Sequence, residues 1–220
     1  MSYSINGLDP EILENLDKNK ELFKKNYGDM FSELASKDIK VISENSGSEV
    51  LNDSKLVLSF FERKVLIDLK YKKVYYLDKA DSSKRSYLDM FSSAIILHYL
   101  LSANGASLKN KWISYRELPG GLFYSSTIPV LLEPLIKRFE SDGKEFLKKS
   151  LEIGGTTNSN FEYGAIIYPF KKFPVLLVLY EKSEEFEANI KILFDSNASH
   201  YLKTYIIKLV ITYIVKRLCD

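Results

Sequence analysis

Apolar residues recur along this chain at two spacings, and the change from one to the other marks its elements. Ile12, Leu13, Leu16, Phe23, Tyr27, Met30, Phe31 and Leu34 form one face of an amphipathic helix or helix pair. Asp9 and Pro10 suit its first turn, and Gly28 marks a break or kink. The polar stretch Glu44 to Ser54 (ENSGSEVLNDS) is a connection. Leu56 to Phe61, Lys64 to Leu69 and Lys73 to Leu77 then read as three strands of an antiparallel meander. Ser83 to Ser102 returns to helical spacing through Tyr87, Phe91, Ala94, Ile95, Leu97, His98 and Leu101, with Asn104-Gly105 as a stop. Further helices are predicted over Pro129 to Phe139 and Gly143 to Leu151, and the Gly154 to Asn158 stretch is a loop. Three more strands follow, Phe161 to Pro169, Val175 to Glu181 and Ala188 to Phe194, and a helix from Ser199 to Leu218 closes the chain. The expectation is an α+β single domain, residues 1–220, with a mainly antiparallel sheet of about six strands packed against N-terminal, central and C-terminal helices. Residues 1–40 form the N-terminal helical segment and residues 55–220 the core.

At 220 residues and 45% hydrophobic content the chain can bury one substantial core. A net charge of +2, with Lys and Arg spread evenly between the two halves, selects no partner by charge, and without a concentrated basic stripe the expectation is no nucleic-acid binding. The single thiol, Cys219, makes no internal disulfide, CxxC pair or intrinsic iron-sulfur cluster, which fits a reducing cytoplasm. No run approaches the ~18 consecutive apolar residues of a membrane span, and no basic region followed by an apolar run opens the chain. The composition is rich in Tyr (15) and Phe (13), and buried Tyr hydroxyls need partners, so half-wet surfaces, a pocket or a partner interface are expected beside ordinary strand aromatics.

The densest chemistry lies in Trp112 to Gly121 (WISYRELPGG). Extended, it puts Trp112, Ser114, Arg116 and Leu118 on one face and Ile113, Tyr115 and Glu117 on the other, so that Arg116 meets an anion and Glu117 a cation, amide or proton-bearing group. Gly120-Gly121 and Gly154-Gly155 let backbone amides approach a ligand, or simply turn the chain. A second group runs from Glu181, Glu184, Glu185 and Glu187 to Asp195 and His200, where carboxylates near a histidine suit a metal or acid/base chemistry, the plainer alternative being a solvated turn and a helix cap. His98 lies on an apolar helix face and reads as a core histidine. No dinucleotide, P-loop, zincin, EF-hand or nucleophile-elbow motif is present.

Trp112 to Gly121, Leu97 to Leu101 (LHYLL), Gly154-Gly155 and Phe173 to Tyr201 (FPVLLVLYEKSEEFEANIKILFDSNASHY) together resemble an uncharacterised family of anaerobic bacteria and archaea, domain of unknown function three-seven-eight-six. The resemblance runs from about Leu56 to the end. It implies an α+β domain of cytoplasmic anaerobes and, through relatives with a corrinoid iron-sulfur module, a link to corrinoid or one-carbon metabolism. The chain departs from the family pattern at Ala165, Tyr180 and Glu187, and it lacks the cluster module.

Three readings follow. The first is a ligand- or cofactor-binding domain whose site joins Trp112, Ser114, Tyr115, Arg116, Gly120 and Gly121 to Gly154, Gly155, Glu185, Asp195 and His200. Its ligand would be a corrinoid or other tetrapyrrole, with Arg116 on a carboxylate and His200 or His98 as axial ligand, or its partner a protein of anaerobic one-carbon metabolism. The second is an enzyme with Glu117 as base, Arg116 stabilising an anion and Asp195 with His200 as acid/base pair. The third is an accessory protein-interaction domain acting through an exposed aromatic surface.

Overall fold

The computed structural model describes residues 27–78, 81 and 84–220. The predicted helix opening at Asp9-Pro10 and its apolar positions up to Phe23 lie outside the described residues. In chain order the elements are α1 (27–35), α2 (Ile39–Ser46), β1 (Glu49–Asn52), β2 (Lys55–Phe60), β3 (Arg63–Asp68), β4 (Lys73–Leu77), β5 (Arg85–Tyr87), α3 (Met90–Ser102), β6 (Trp112–Ser114), α4 (Ile128–Phe139), α5 (Gly143–Glu152), β7 (Thr156–Thr157), β8 (Tyr163–Phe170), β9 (Phe173–Tyr180), β10 (Asn189–Asp195) and α6 (Thr204–Cys219).

The fold is α+β, with the strands in two antiparallel sheets of five, ordered β1-β2-β3-β4-β5 and β6-β10-β9-β8-β7. The six strands read from the sequence are the longer strands of these sheets, β2 to β4 and β8 to β10. The four additional strands, β1, β5, β6 and β7, are two to four residues long and lie at sheet edges.

Alternation puts Leu56, Leu58, Phe60, Val65, Ile67 and Val74 of the first sheet into one buried cluster with Val175, Leu177, Leu179, Ile192 and Phe194 of the second. The helices α3 and α6 belong to the same cluster. Both are buried around most of their circumference, as helices enclosed on several sides must be. Tyr99 of α3 stacks on Phe170 at 3.8 Å, and its hydroxyl donates to Ser46 O at 2.8 Å, so the aromatic body and the polar tip are both satisfied. Two further ties reach the β8–β9 end of the second sheet, one from the first sheet and one from α2. Phe61 N, in the β2–β3 turn, donates to Pro169 O at 3.0 Å, and Lys172 Nζ caps the carbonyl end of α2 through Glu44 O at 2.8 Å.

Two helix boundaries differ from the sequence reading. The helix predicted from Ser83 begins at Met90, because Arg85–Tyr87 pairs with β4 and Asp89 caps α3 by accepting from Ser92 N at 3.0 Å. The helix predicted from Ser199 begins at Thr204; Ala198–His200 is a separate 3₁₀ turn, so His200 precedes α6. Among the described residues no helix is long and apolar enough to cross a membrane.

Candidate functional site

The segment from Asp195 to Thr204 leaves β10 and leads into α6, and it gathers most of the polar candidates. The Asp195 side chain is buried, the residue being 1% exposed, and its carboxylate accepts backbone N–H bonds from Lys109 at 3.0 Å, Asn110 at 2.7 Å and Asn197 at 3.0 Å. Buried backbone donators of this kind must be paired, and a carboxylate is the strongest acceptor available to them. Asn197 Nδ2 donates to Ser107 O at 2.9 Å, and the Tyr201 hydroxyl donates to Ala106 O. Asp195, Asn197 and Tyr201 therefore fasten the connection 104–111 between α3 and β6, which has no ladder of its own.

His200 extends this network at the surface, its Nδ1 lying 2.9 Å from Asn104 Nδ2. Asn104 Oδ1 accepts from Ala106 N at 3.2 Å, which orients the amide so that its NH₂ faces the ring. Nδ1 is then the acceptor, and the neutral imidazole carries its proton on Nε2. The imidazole thus pairs with Asn104, while the Asp195 carboxylate takes backbone amides.

The Trp112 to Gly121 stretch is extended only to Ser114, where Trp112, Ile113 and Ser114 pair with Asp195, Phe194 and Leu193. Tyr115–Glu117 then coils into a 3₁₀ turn, which replaces the expected alternation. Tyr115 points inward, its hydroxyl donating to Thr204 O at 2.9 Å and its ring edge-on to Phe194; burial, then the neighbouring Tyr124, pushes its pKa up to about 12. Glu117 Oε2 accepts from Ser114 N at 2.7 Å and Ser114 Oγ at 2.8 Å, a capping arrangement whose hydrogen bonds, the backbone one first, hold the carboxyl below its ordinary range. Arg116 is exposed. Gly121 is required by packing, since a Cβ there would lie 1.9 Å from Tyr115 O, and Gly120 precedes it at φ 75°. Thr204 Oγ1 donates to Pro119 O at 2.6 Å, fixing the turn from behind.

The remaining candidates lie elsewhere. Gly154 and Gly155 close α5 by donating to Leu151 O at 3.0 Å and Ser150 O at 2.9 Å. Gly154 also packs on Glu62, which pairs with Arg217 at 2.8 Å near the end of α6. His200 and Thr204 sit at the opposite end of that helix, roughly 20 Å away at the α-helical rise. Glu185 is exposed in the β9–β10 connection, at the far end of β10 from Asp195, also roughly 20 Å away at the strand rise. His98 is half-buried on α3 with its ring edge-on to Tyr205, and burial, then the Lys203 charge, lowers its pKa to about 4. Among the described residues no three His, Cys, Asp or Glu side chains group to hold a metal. An open groove of about 290 Å³ between α2 and α3 is lined by Lys37, Asp38, Val41, Ile42, Leu100 and Leu101, among others, and contains none of the predicted residues.

One feature escaped the sequence reading. Directly after Gly121 come Leu122, Phe123 and Tyr124, exposed at 57%, 84% and 46% on a pair of 3₁₀ turns that lead into α4. The available signal was an apolar triplet between Gly-Gly and Ser-Ser-Thr that belongs to no periodic run.

No curated protein and no solved structure matches this chain. The family model described as Domain of unknown function (DUF3786) matches residues 38–217, from the cap of α2 almost to the end of α6, and the chain therefore belongs to that family.

Proposed function

We propose that this chain is an accessory protein-interaction domain whose contact element is the Leu122–Phe123–Tyr124 turn. The observation that carries the reading is three consecutive exposed apolar side chains on a turn held from behind by Tyr115, Thr204 and Gly121. Single exposed apolar residues are ordinary, whereas grouped aromatics on a fixed turn mark a contact surface. Burying Phe123 in a pocket contributes about 2–3 kcal/mol, a factor of roughly 30 to 150 in affinity. The occupant is a protein with an apolar pocket and an acidic rim. Arg116 at the base of the turn faces no carboxylate among the described residues, Lys111 is also exposed, and Glu117 is engaged by Ser114.

A photo-crosslinking residue at position 123, with position 151 as exposed control, followed by titration of the purified partner, tests this. The expected result is one acidic protein crosslinked at 123 and an affinity at least thirtyfold weaker for Phe123→Ser, with the thermal midpoint unchanged. Crosslinking only to a second copy of this chain, or an affinity indifferent to Phe123→Ser, would overturn it.

In the corrinoid or tetrapyrrole reading His200 would ligate through Nε2, which requires the tautomer with its proton on Nδ1 and so gives up the present contact with Asn104 Nδ2. In a cobalamin or haem titration the account expects no visible-band shift that depends on His200. A shift abolished by His200→Ala would restore the cofactor reading. The enzyme reading is weakened in the same way, since Glu117 and Asp195 both accept from the chain's own amides and the His200 ring pairs with Asn104.

A further inference from the structure

The first sheet has an outer face of different character. Residues 63–87 carry eight Lys and Arg against three Asp, a local charge of +5 in a chain whose total is +2. Counting by half-chain hides this excess, because the residues before it are acidic. Alternation sends Val74 and Tyr76 into the core side and Lys73, Tyr75 and Leu77 to the other. Cross-strand register then builds a row on that face, Glu49, Val57, Leu66, Tyr75 and Tyr87, one residue from each of the five strands; Val57 and Leu66 are buried, so the row opens to solvent on the β4–β5 side. Its last two members form an aromatic pair, with ring centroids 5.0 Å apart at 37°. Tyr87 is 70% exposed on the edge strand.

Cations flank these rings. Lys73 Nζ lies 5.5 Å from the Tyr87 centroid and the Arg85 guanidinium 5.9 Å from that of Tyr75, and in the β3–β4 turn Lys70 lies 5.7 Å from Tyr71, which is 64% exposed. Lys70, Lys73 and Arg85 form no salt bridge with a carboxylate among the described residues; Glu49, in the row itself, pairs with Lys64 at 3.1 Å, and Asp68 is buried and paired with Lys55 at 3.4 Å. The exposed rings of Tyr71 and Tyr87 and the half-buried ring of Tyr75, with cations beside them that pair with no carboxylate among the described residues, suit a chain of alternating bases and phosphates.

We propose that the outer face of β4 and β5 binds single-stranded nucleic acid. Bases stack on Tyr75, Tyr87 and Tyr71, and Lys70, Lys73 and Arg85 take the phosphates. Recognition is tolerant of sequence because every base has a π-face, and duplex is disfavoured because its bases are already stacked. This surface lies apart from the Leu122–Tyr124 turn, so either proposal can fail without the other.

The test is fluorescence anisotropy of the full chain with a labelled single-stranded oligonucleotide of about 15 nucleotides, at low and at moderate salt. The aromatic site should cover several nucleotides within a probe of that size. Binding is expected to be saturable and salt-sensitive, and at least tenfold weaker to the matching duplex. Tyr75→Ala with Tyr87→Ala should weaken it at least tenfold, while Tyr75→Phe with Tyr87→Phe retains it. Lys73→Glu with Arg85→Glu should lower both affinity and salt slope, and the same charge changes at Lys137 and Lys148, on α4 and α5, should not. Circular dichroism and thermal melting check that the alanine variant is folded; the phenylalanine rescue keeps the test decisive if it is not. No binding at 100 µM in low salt would overturn the proposal. So would equal affinity for duplex, for inorganic polyphosphate or for anionic vesicles, or binding indifferent to loss of the tyrosine rings.

Discussion

Two irregular segments flank β6, and they use their side chains in opposite ways. The connection 104–111 before it directs backbone amides and carbonyls inward to Asp195, Asn197 and Tyr201. The turn 118–127 after it closes its backbone on itself and on Thr204, leaving Leu122, Phe123 and Tyr124 outside. Carboxylates and a histidine invite a reading as chemistry, yet here they hold the chain in place. The apolar triplet resembles core, and it faces solvent. A polar residue signals function when its groups remain free after the backbone has been satisfied; the Asp195 carboxylate is fully engaged by amides, and Asn197 Oδ1 is the one side-chain atom of this segment buried without a partner among the described residues.

The largest predicted effect breaks the first half of this contrast. Asp195→Ala leaves the Lys109 and Asn110 amides without their acceptor and should cost about 3 kcal/mol or more, lowering the thermal midpoint by roughly 6–12 °C. Asp195→Asn, which keeps an acceptor oxygen, should cost less. Calorimetry on the three chains checks the order. Tyr115→Phe removes the bond to Thr204 O and keeps the ring, so a loss of about 1 kcal/mol is expected in a urea titration.

Smaller still is the contribution of Glu117, which carries a pH signature. Its folded carboxyl is held below the ordinary value, so the stabilisation is complete above the unfolded pKa of about 4.3 and is lost as pH falls through the folded value. The stability gap between the wild type and Glu117→Gln should therefore be flat from about pH 8 to 5 and close below about pH 4. A gap that widens on acidification would contradict the assignment. The smallest effect belongs to the turn: Phe123→Ser should alter unfolding free energy by less than about 0.5 kcal/mol, because the ring packs on little of its own chain. A loss near 2 kcal/mol would mean that Phe123 is structural.

The longer strands were legible because short apolar runs of five to eight residues bounded by polar turns, as in Phe173–Tyr180 and Lys55–Phe60, are too short for a helix and suit a strand buried on both faces. Arg85–Tyr87 and Trp112–Ser114 were not, since three residues define no period; each is a strand because a longer neighbour offers it a register. The roles of the polar residues were hidden for another reason. Asp195 finds its donors 85 and 86 residues earlier, and backbone amides carry no letter in the sequence. Glu117 was visible in principle, as Ser114 three residues before it forms a capping pair. The charge of residues 63–87 was also visible, at a window shorter than half the chain.

The central claim, that the polar candidates around Asp195 hold the fold, is tested most directly by native-state hydrogen exchange at the Lys109 and Asn110 amides. The account predicts protection approaching that of the β9–β10 ladder despite the absence of helix or strand at 109–110, and its collapse in Asp195→Ala. Exchange as fast as in an open surface loop in the wild-type chain would contradict it, and would return Asp195 to the residues available for chemistry.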